Sequence, residues 1–152
     1  LDTGVDSEHF DLKDALDESR DFTNSRSGAA DVQGHGTHCA GSIAARENGR
    51  GLVGVAPECR LLNAKVLGDS GSGSVDGIAR GIDWANARGA DVISMSLGGP
   101  SRDSWIPPAL KRATEAGVIV VAAAGNEGPR EGNVGLAGGY AAGRPCSSPA
   151  RG

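Results

Sequence analysis

Three short stretches of the chain carry side chains suited to acid–base chemistry. Residues 34–41 read GHGTHCAG, residues 2–4 read DTG, and residues 123–128 read AAGNEG. The glycines on either side of His35 let the backbone approach a neighbouring segment closely, so the imidazole can point into a cleft. A histidine buried at a tight packing site is the structural alternative, and these glycines alone do not separate the two.

The side chains in these stretches match known roles in acyl transfer to a serine hydroxyl. His35 fits the base that takes the hydroxyl proton and returns it to the leaving amine, and Asp2 fits the carboxylate that holds the base in the right tautomer. Asn126 follows a continuous apolar run and fits a rigidly held amide donor to the oxyanion. These residue types permit such chemistry, and the order of the three stretches is the feature that points to a family.

In this order the three stretches resemble the Asp, His and oxyanion-Asn blocks of the subtilisin-like serine proteases (subtilases, peptidase family S8). The order Asp, His and then a late Ser differs from that of chymotrypsin-like proteases and α/β-hydrolases. The resemblance covers nearly all of residues 1–128. It implies a serine-type endopeptidase, with Asp2 and His35 as catalytic residues and Asn126 in the oxyanion hole.

The family's fourth block, Gly-Thr-Ser-x-Ala, is not found among the 152 residues. Ser147 and Ser148 lack the preceding Gly-Thr and come too soon after Asn126 for the intervening strands. We therefore expect a fragment, incomplete at both ends, with little peptidase activity alone. A frameshift, an altered splice or a broken gene would also explain the tail. Two alternatives stay open: a non-catalytic peptide-binding pseudo-enzyme, and an unrelated doubly wound domain, although no Gly-x-Gly-x-x-Gly follows a strand.

The resemblance also implies contacts with a polypeptide substrate in extended conformation. Two segments would pair with the substrate backbone as added β-strands, and neighbouring residues would form the walls of side-chain pockets. The edge segments contain Ser72, Gly73, Ser96, Leu97 and Gly98, and the pocket walls contain Leu67, Ala123 and Gly125. Taken singly, each of these glycines is better explained by a turn and each serine by the end of a strand, but their combined spacing between His35 and Asn126 favours the substrate-binding interpretation.

A structural calcium ion is implied by the same resemblance, in the loop after the His35 segment. Asp11 and Asn48 would supply side-chain oxygens, and the backbone carbonyls of Arg46, Arg50 and Leu52 would complete the set. The alternative is an Asx turn at Asn48 beside an exposed Asp11, because both residue types are common in turns.

Composition excludes several other classes. The chain is long enough for one domain with a substantial core, and its 25 glycines and 3% aromatic residues suit close packing of helices on a sheet. The net charge of −4, with both signs interspersed, gives no reason to expect nucleic acid or an anionic membrane as partner. No apolar run reaches the roughly 20 residues of a membrane span. Secretion, and a pro-peptide as a further partner, follow only from the resemblance.

The three cysteines are an odd number, so they cannot all pair within the chain. Cys39 lies four residues after His35, on the same face of a helix one turn on. It is expected to be a small buried hydrophobe, with sensitivity to mercurials as the alternative. Pairing of Cys39 with Cys59 is left open, as is the state of Cys146.

Hydrophobic periodicity predicts the elements that would position these residues. Helices are expected over residues 35–45, from the N-cap Ser74 to Gly89, and over 106–117. Strands are expected over 61–67, over 92–97, and over 118–122, the last buried on both faces. Residues 13–30 are predicted to be a charged surface loop. The alternation predicts an α/β fold, a parallel sheet with helices on both faces (the three-layer, subtilisin-like type), incomplete. Residues 1–128 would be a partial catalytic domain and 129–152 a divergent tail without regular structure.

Overall fold

A computed structural model describes residues 1–98 and 106–126 of the chain. The elements in order are β1 (Leu16–Asp21), α1 (His35–Ala44), β2 (Leu61–Lys65), α2 (Val75–Ala87), β3 (Val92–Met95), α3 (Ile106–Glu115) and β4 (Ile119–Ala122). The chain divides into two compact units, Leu1–Gly81 and Ile82–Gly152. The predicted tail, with Cys146, Ser147 and Ser148, lies outside the described residues. The division into a 1–128 domain and a 129–152 tail therefore stays a prediction.

All strand pairs in the described residues are parallel. In the first unit β1 pairs with β2, and in the second β3 pairs with β4. Lys65, the last residue of β2, pairs with Asp21 on one edge and forms a parallel bridge with Asp2 on the other. Asp2 therefore lies at the carboxyl end of β2, the edge of a parallel sheet where ligands usually bind.

β1 corrects the prediction that residues 13–30 form a surface loop. Its sequence, LDESRD, is mostly charged and shows no apolar alternation, and its side chains are exposed or only partly buried. The strand is held by its backbone ladder to β2 and by the buried side chains of Ala15 before it and Phe22 after it. An edge strand of this kind uses its charges to discourage further strand pairing, so hydrophobic periodicity does not reveal it.

α1 packs through a face of very small residues. Gly36, Ala40 and Ala44 lie four residues apart and are buried. The two alanines belong to an apolar cluster whose other buried members are Val5, Leu12 and Ala15. A face without large side chains lets the helix axis come close to the segment that carries Asp2.

Lys65 is a charged residue at the end of β2, a strand that was predicted to be mostly apolar. The side chain is fully buried. Its Nζ donates hydrogen bonds to Thr3 O at 2.7 Å, Ala30 O at 2.8 Å and Asp69 Oδ1 at 2.9 Å. A buried ammonium is tolerated only where such acceptors replace water. The cation thus fastens the end of β2 to the residue that follows Asp2.

The predicted caps of α2 and α3 are confirmed. Ser74 Oγ accepts the N–H of Gly77 at 3.0 Å at the start of α2. Both helices end in a left-handed glycine, Gly89 with φ 75° and Gly117 with φ 90°. In each case the next N–H bonds to the carbonyl five residues back, as in a Schellman motif. The remaining predicted helix, α1, and the predicted strands β2, β3 and β4 begin and end within two residues of the expected positions.

β4 corrects the prediction of a strand buried on both faces. Ile119 and Val121 are 62% and 53% exposed, whereas Val120 and Ala122 are partly buried. In the part of the chain that the structure describes, this alternation is typical of a strand covered on one face only. No helix of the two described ranges is long and apolar enough to cross a membrane.

Candidate active site

His35 and Asp2 are in direct contact. His35 is the first residue of α1, and Gly34 before it turns the chain with a left-handed φ of 94°. The His35 Nδ1 lies 2.6 Å from Asp2 Oδ1, which also accepts the N–H of Thr3 at 2.7 Å. Asp2 is 9% exposed, while 46% of the His35 side chain remains exposed.

This geometry favours one tautomer of a neutral imidazole. An ionised carboxylate can only accept hydrogen bonds, so facing Asp2 places the proton of a neutral His35 on Nδ1. Nε2 is then the basic nitrogen, on a ring that is accessible to solvent. The alternative of a buried structural histidine is wrong, because His35 is exposed.

Asp31 also belongs to this site, although no sequence motif singled it out. Its Oδ1 accepts hydrogen bonds from Thr3 Oγ1 at 2.9 Å and from the N–H groups of Gln33 and Gly34 at 3.0 and 2.9 Å. Its Oδ2 accepts from the N–H and the hydroxyl of Thr37 at 2.8 and 2.7 Å. An aspartate followed three residues later by the glycine before a helix was the available signal, since it is typical of an Asx turn.

These donors stabilise the ionised form of Asp31. Partial burial raises the pKa of this carboxyl, but hydrogen bonds from Thr37, Gly34 and Thr3 outweigh it and lower the pKa from 3.8 to about 2. Asp31 therefore carries a full negative charge at neutral pH.

Thr3 links the Asp2 segment to α1. The residue is almost completely buried, and its Oγ1 accepts the N–H of Gly36 at 2.9 Å while donating to Asp31. A Cβ on Gly36 would overlap the carbonyl oxygen of Gly4 and lie 3.1 Å from Gly4 N and Thr3 Oγ1. The glycine after the histidine is thus required by the close approach of two backbones.

Cys39 lies beside the pair. Its Sγ is 3.9 Å from His35 Nδ1, which confirms the predicted shared helix face. The expectation of a buried hydrophobe is wrong, because Cys39 is only half-buried. Among the residues that the structure describes, Cys39 and Cys59 are not joined by a disulfide, and Cys59 packs against the apolar cluster.

Within the described residues, Asp2, His35 and Cys39 form the one group of three metal-ligating side chains, with ligand atoms within 4.8 Å of one another. The 2.6 Å between His35 Nδ1 and Asp2 Oδ1 is a hydrogen-bond distance, however. It is too short to hold a zinc ion with bonds of about 2.0–2.1 Å at tetrahedral angles. We therefore interpret the group as a hydrogen-bonded Asp2–His35 pair with a neighbouring thiol.

The predicted calcium ligands are partly brought together. Asp11 is 4% exposed, which contradicts the alternative of an exposed aspartate, and its Oδ1 accepts from Asn48 Nδ2 at 2.8 Å. The Asx turn at Asn48 is present, since Asn48 Oδ1 accepts the N–H of Arg50 at 3.2 Å. A Cβ on Gly51 would overlap Asp11 Oδ2, so this loop closes tightly around the carboxylate. Leu52 is exposed.

Asn48 turns its Nδ2 toward the nearly buried Asp11 carboxylate, and its Oδ1 accepts the N–H of Arg50. Carboxylate, amide and carbonyl oxygens are the ligands that Ca²⁺ prefers. Arg46 lies close by, with its N–H bonded to the carbonyl of Asp11 at 3.0 Å.

In the first unit, the loop after β2 carries three residues predicted to bind substrate. Leu67 is half-buried, and Ser72 and Gly73 are exposed. The N–H of Gly68 donates to the carbonyl of Ser72 at 2.8 Å, which closes the loop. A side chain on Gly73 would overlap the carbonyl of Val66, so this segment lies against the end of the strand.

In the second unit, the other predicted residues follow β3 and β4. Because these strands are parallel, residues 96–98 and 123–126 leave from the same edge of the pair. The N–H of Ala123 donates to Met95 O at 3.0 Å and so extends the ladder. Gly125 has a left-handed φ of 104°, and Asn126 after it is exposed. Gly98 is exposed and Leu97 is buried.

Comparison with known proteins gives a consistent result. A sequence profile described as the Subtilase family matches residues 1–150. The chain is 49% identical over 133 residues to the "Major intracellular serine protease" of Bacillus subtilis (strain 168), covering 84% of this chain and 42% of that protein. It is 48% identical over 128 residues to "Subtilisin DY" of Bacillus licheniformis, covering 84% of this chain and 46% of the relative.

Solved structures agree with these sequence matches. "Sphericase" superposes with a TM-score of 0.84 at 41% identity, covering 90% of this chain and 47% of its own. "S41 Psychrophilic Protease" gives a TM-score of 0.83 at 44% identity, with the same coverage of 90% and 47%. The predicted fold class, an incomplete α/β fold of the subtilisin-like type, is confirmed. The chain spans less than half the length of each of these proteins.

Proposed function

Because the chain belongs to the subtilase family, we propose that it supplies the base, the orienting carboxylate and an oxyanion donor of a serine-type endopeptidase. The observation that supports this most strongly is the 2.6 Å contact between His35 Nδ1 and Asp2 Oδ1, on a histidine that stays accessible. Asn126 takes the third role from its exposed position after β4.

The proposed reaction begins with proton transfer to His35. Nε2 takes the proton of the serine hydroxyl as its oxygen attacks the peptide carbonyl, and Asp2 stabilises the imidazolium that forms. The Asn126 amide donates to the oxyanion of the tetrahedral intermediate. His35 then gives the proton to the leaving amine, and water hydrolyses the acyl-serine in a second, equivalent step.

The serine is a separate matter. The family carries it in a Gly-Thr-Ser-x-Ala block, which the 152 residues of this chain do not contain. We propose that this chain alone binds extended polypeptides but does not cleave them, as the pseudo-enzyme alternative would also require. Pairing of substrate backbone with the exposed segments around Gly73 and Gly98 would supply this binding.

A chimera tests the proposed roles. Residues 1–126 would replace the matching segment of Subtilisin DY, so that the relative contributes the remainder of the domain with its serine block. We expect the chimera to hydrolyse casein and the 152-residue chain not to do so. His35→Ala should lower kcat of the chimera by about 10⁶-fold, the loss known for the triad histidine of a subtilase.

His38→Ala is the matched control, since His38 is exposed on the same helix and takes no part in the proposed site. Equal losses in the two variants would contradict the role of His35. Casein hydrolysis by the 152-residue chain itself, abolished by His35→Ala, would contradict the proposed need for a serine from elsewhere.

We also propose that Asp11 and Asn48, with the backbone carbonyls of Arg46, Arg50 and Leu52, hold a structural calcium ion. The buried Asp11 carboxylate and its tight loop support this. Calcium should raise Tm of the chain above that in a chelator, since a ligand that binds only the folded state stabilises it. Asp11→Asn should remove the increase. Asp17→Asn, at a surface ion pair with Arg60, should keep it. A Tm unaffected by calcium would contradict the site.

An extracytoplasmic location, with a pro-peptide, is proposed only from family resemblance. Two of the relatives carry the word "intracellular" in their names, so the family itself does not decide the location. Immunodetection in separated culture medium and cell lysate of the producing organism tests it. Signal confined to the lysate would contradict secretion.

A further inference from the structure

We propose that Asp31 is a positioning residue of this site, which clamps the segment carrying Asp2 to the helix carrying His35. The proposal rests on the proposed role of the Asp2–His35 pair, and it explains what holds these two side chains at hydrogen-bond distance. Asp31 acts on the pair through Thr3, which follows Asp2, and through Thr37, two residues after His35.

The two oxygens of Asp31 face two different segments. Oδ1 accepts the hydroxyl of Thr3, the residue after Asp2, at 2.9 Å. Oδ2 accepts both the N–H and the hydroxyl of Thr37 in the first turn of α1, at 2.8 and 2.7 Å. Thr37 Oγ1 in turn accepts the N–H of Asp6 at 3.0 Å. One carboxylate therefore joins the Asp2 segment to α1, and it also orients the Thr37 hydroxyl that accepts the N–H of Asp6.

The start of α1 depends on these contacts. The residue at the N-cap position is Gly34, which offers no side-chain acceptor to the first turn. The N–H groups there are accepted instead from outside the helix, that of Gly36 by Thr3 Oγ1 and that of Thr37 by Asp31 Oδ2. Since unsatisfied N–H groups at a helix start are costly, the first turn is held where Thr3 and Asp31 place it. His35 is the first residue of that turn.

An amide cannot replace the carboxylate at this position. The hydrogen-bond partners of Asp31 are all donors, and both of its oxygens accept a backbone N–H. In Asp31→Asn one of the two oxygens becomes an NH₂ group that faces N–H donors in either orientation. The variant keeps the size of the side chain but loses the hydrogen bonds that one of the two carboxylate oxygens accepts.

Asp21 offers a matched comparison within the same unit. Its Oδ1 accepts the hydroxyl and the N–H of Thr23 at 2.6 and 2.8 Å, and its Oδ2 accepts the N–H of Ser25 at 3.0 Å. The pattern of donors is similar, but all of them are local and none belongs to the Asp2 segment or to α1. Asp21→Asn thus perturbs a similar carboxylate turn without touching the pair.

The test uses NMR of the 152-residue chain with ¹⁵N-labelled histidine. The readouts are the tautomer of His35 and the rate at which its Nδ1 proton exchanges with water. Asp31→Asn should speed this exchange by about tenfold or more, the scale for losing one such hydrogen bond, and lower the Nδ1–H tautomer fraction. Asp21→Asn should leave both readouts at the wild-type values.

Thr3 supplies a second pair of variants that does not depend on how well Asp31→Asn folds. Thr3→Val keeps the shape and removes the hydroxyl, and should act as Asp31→Asn does. Thr3→Ser restores the hydroxyl and should restore the wild-type exchange rate. His9 and His38 serve as internal signals, which these variants should not move.

Several outcomes would overturn the proposal. Unchanged His35 readouts in both Asp31→Asn and Thr3→Val would do so, as would equal changes in Asp21→Asn. Asp2→Asn separates this proposal from the proposed function. If Asp2→Asn leaves the Nδ1–H signal in place, the Asp2–His35 pair itself is wrong. If Asp2→Asn abolishes the signal while Asp31→Asn and Thr3→Val keep it, only the clamp is wrong.

Discussion

The close approach of α1 to the Asp2 segment makes a sharp prediction about two glycines of one helix. In Gly36→Ala the new Cβ overlaps the carbonyl oxygen of Gly4 and lies 3.1 Å from Gly4 N and Thr3 Oγ1. These obstacles are mostly backbone, so the helix has to move away. In Gly41→Ala the new Cβ meets nothing within 4 Å.

The expected free energies follow from these contacts. Forcing an extra methyl group into a packed site costs about 1–3 kcal/mol. Retreat of the helix also lengthens the 2.9 Å bond from Gly36 N–H to Thr3 Oγ1, at a cost of about 0.5–1.5 kcal/mol. Alanine returns about 1 kcal/mol in helix propensity. Gly36→Ala should therefore destabilise the chain by about 0.5–3.5 kcal/mol, whereas Gly41→Ala should stabilise it by about 0.5–1 kcal/mol.

Urea denaturation followed by far-UV circular dichroism measures both free energies of unfolding. The ordering of the variants is the decisive result, because helix propensity alone would favour both substitutions equally. If Gly36→Ala is as stable as Gly41→Ala, α1 and the Asp2 segment do not make this close backbone contact in solution.

Three further predictions concern charged groups. The pKa of Asp31 is lowered from 3.8 to about 2, so its contribution to stability is present above pH 3.8 and is lost as the pH falls through 2. The difference in unfolding free energy between wild type and Asp31→Asn should shrink over that range, and a constant difference would contradict this. Lys65→Met should cost, by urea denaturation, about 1–3 kcal/mol for each of the two carbonyl oxygens, Thr3 O and Ala30 O, that it leaves without a donor. Lys111→Met, at an exposed pair, should stay within about 0.5 kcal/mol, and equal costs would contradict the role of burial. Arg112→Lys breaks the bidentate bond to Asp83 and should leave the free energy of unfolding close to that of wild type in the same assay, because surface ion pairs contribute little. A loss as large as that of Lys65→Met would contradict this.

Much of the fold was predictable because local signals and burial agree. The helices were marked by apolar spacing and by residues with specific roles at their ends, such as Ser74 and Gly89. β1 was not predictable from periodicity, since its charged side chains form no hydrophobic pattern. Its partner strand is also distant in sequence, because Leu16 pairs with Leu61. The position of such an edge strand is set by the backbone hydrogen bonds that the neighbouring strand can form with it.

The motif residues of the site were predictable from the sequence, but the residues that hold them in place were not. Asp2 and His35 were found because their motifs resemble the Asp and His blocks of the subtilases, and the structure brings them together. Asp31 and Lys65 were missed because their roles come from long-range contacts: Asp31 binds Thr3, and Lys65 binds Thr3 and Ala30. A buried lysine inside an apolar strand and an aspartate in a turn look ordinary until the fold places acceptors and donors around them.

The most direct test of the central claim is the rate at which a fluorophosphonate labels the serine of the chimera with Subtilisin DY. Such a reagent reacts with a serine only when a base activates it. We predict rapid labelling in the chimera and in its His38→Ala variant, and little in His35→Ala. Asp2→Asn should slow labelling on the order of 10⁴-fold, the loss known for the same change in an unrelated serine protease. Labelling at an unchanged rate in His35→Ala and Asp2→Asn would show that this pair is not the base and its orienting carboxylate.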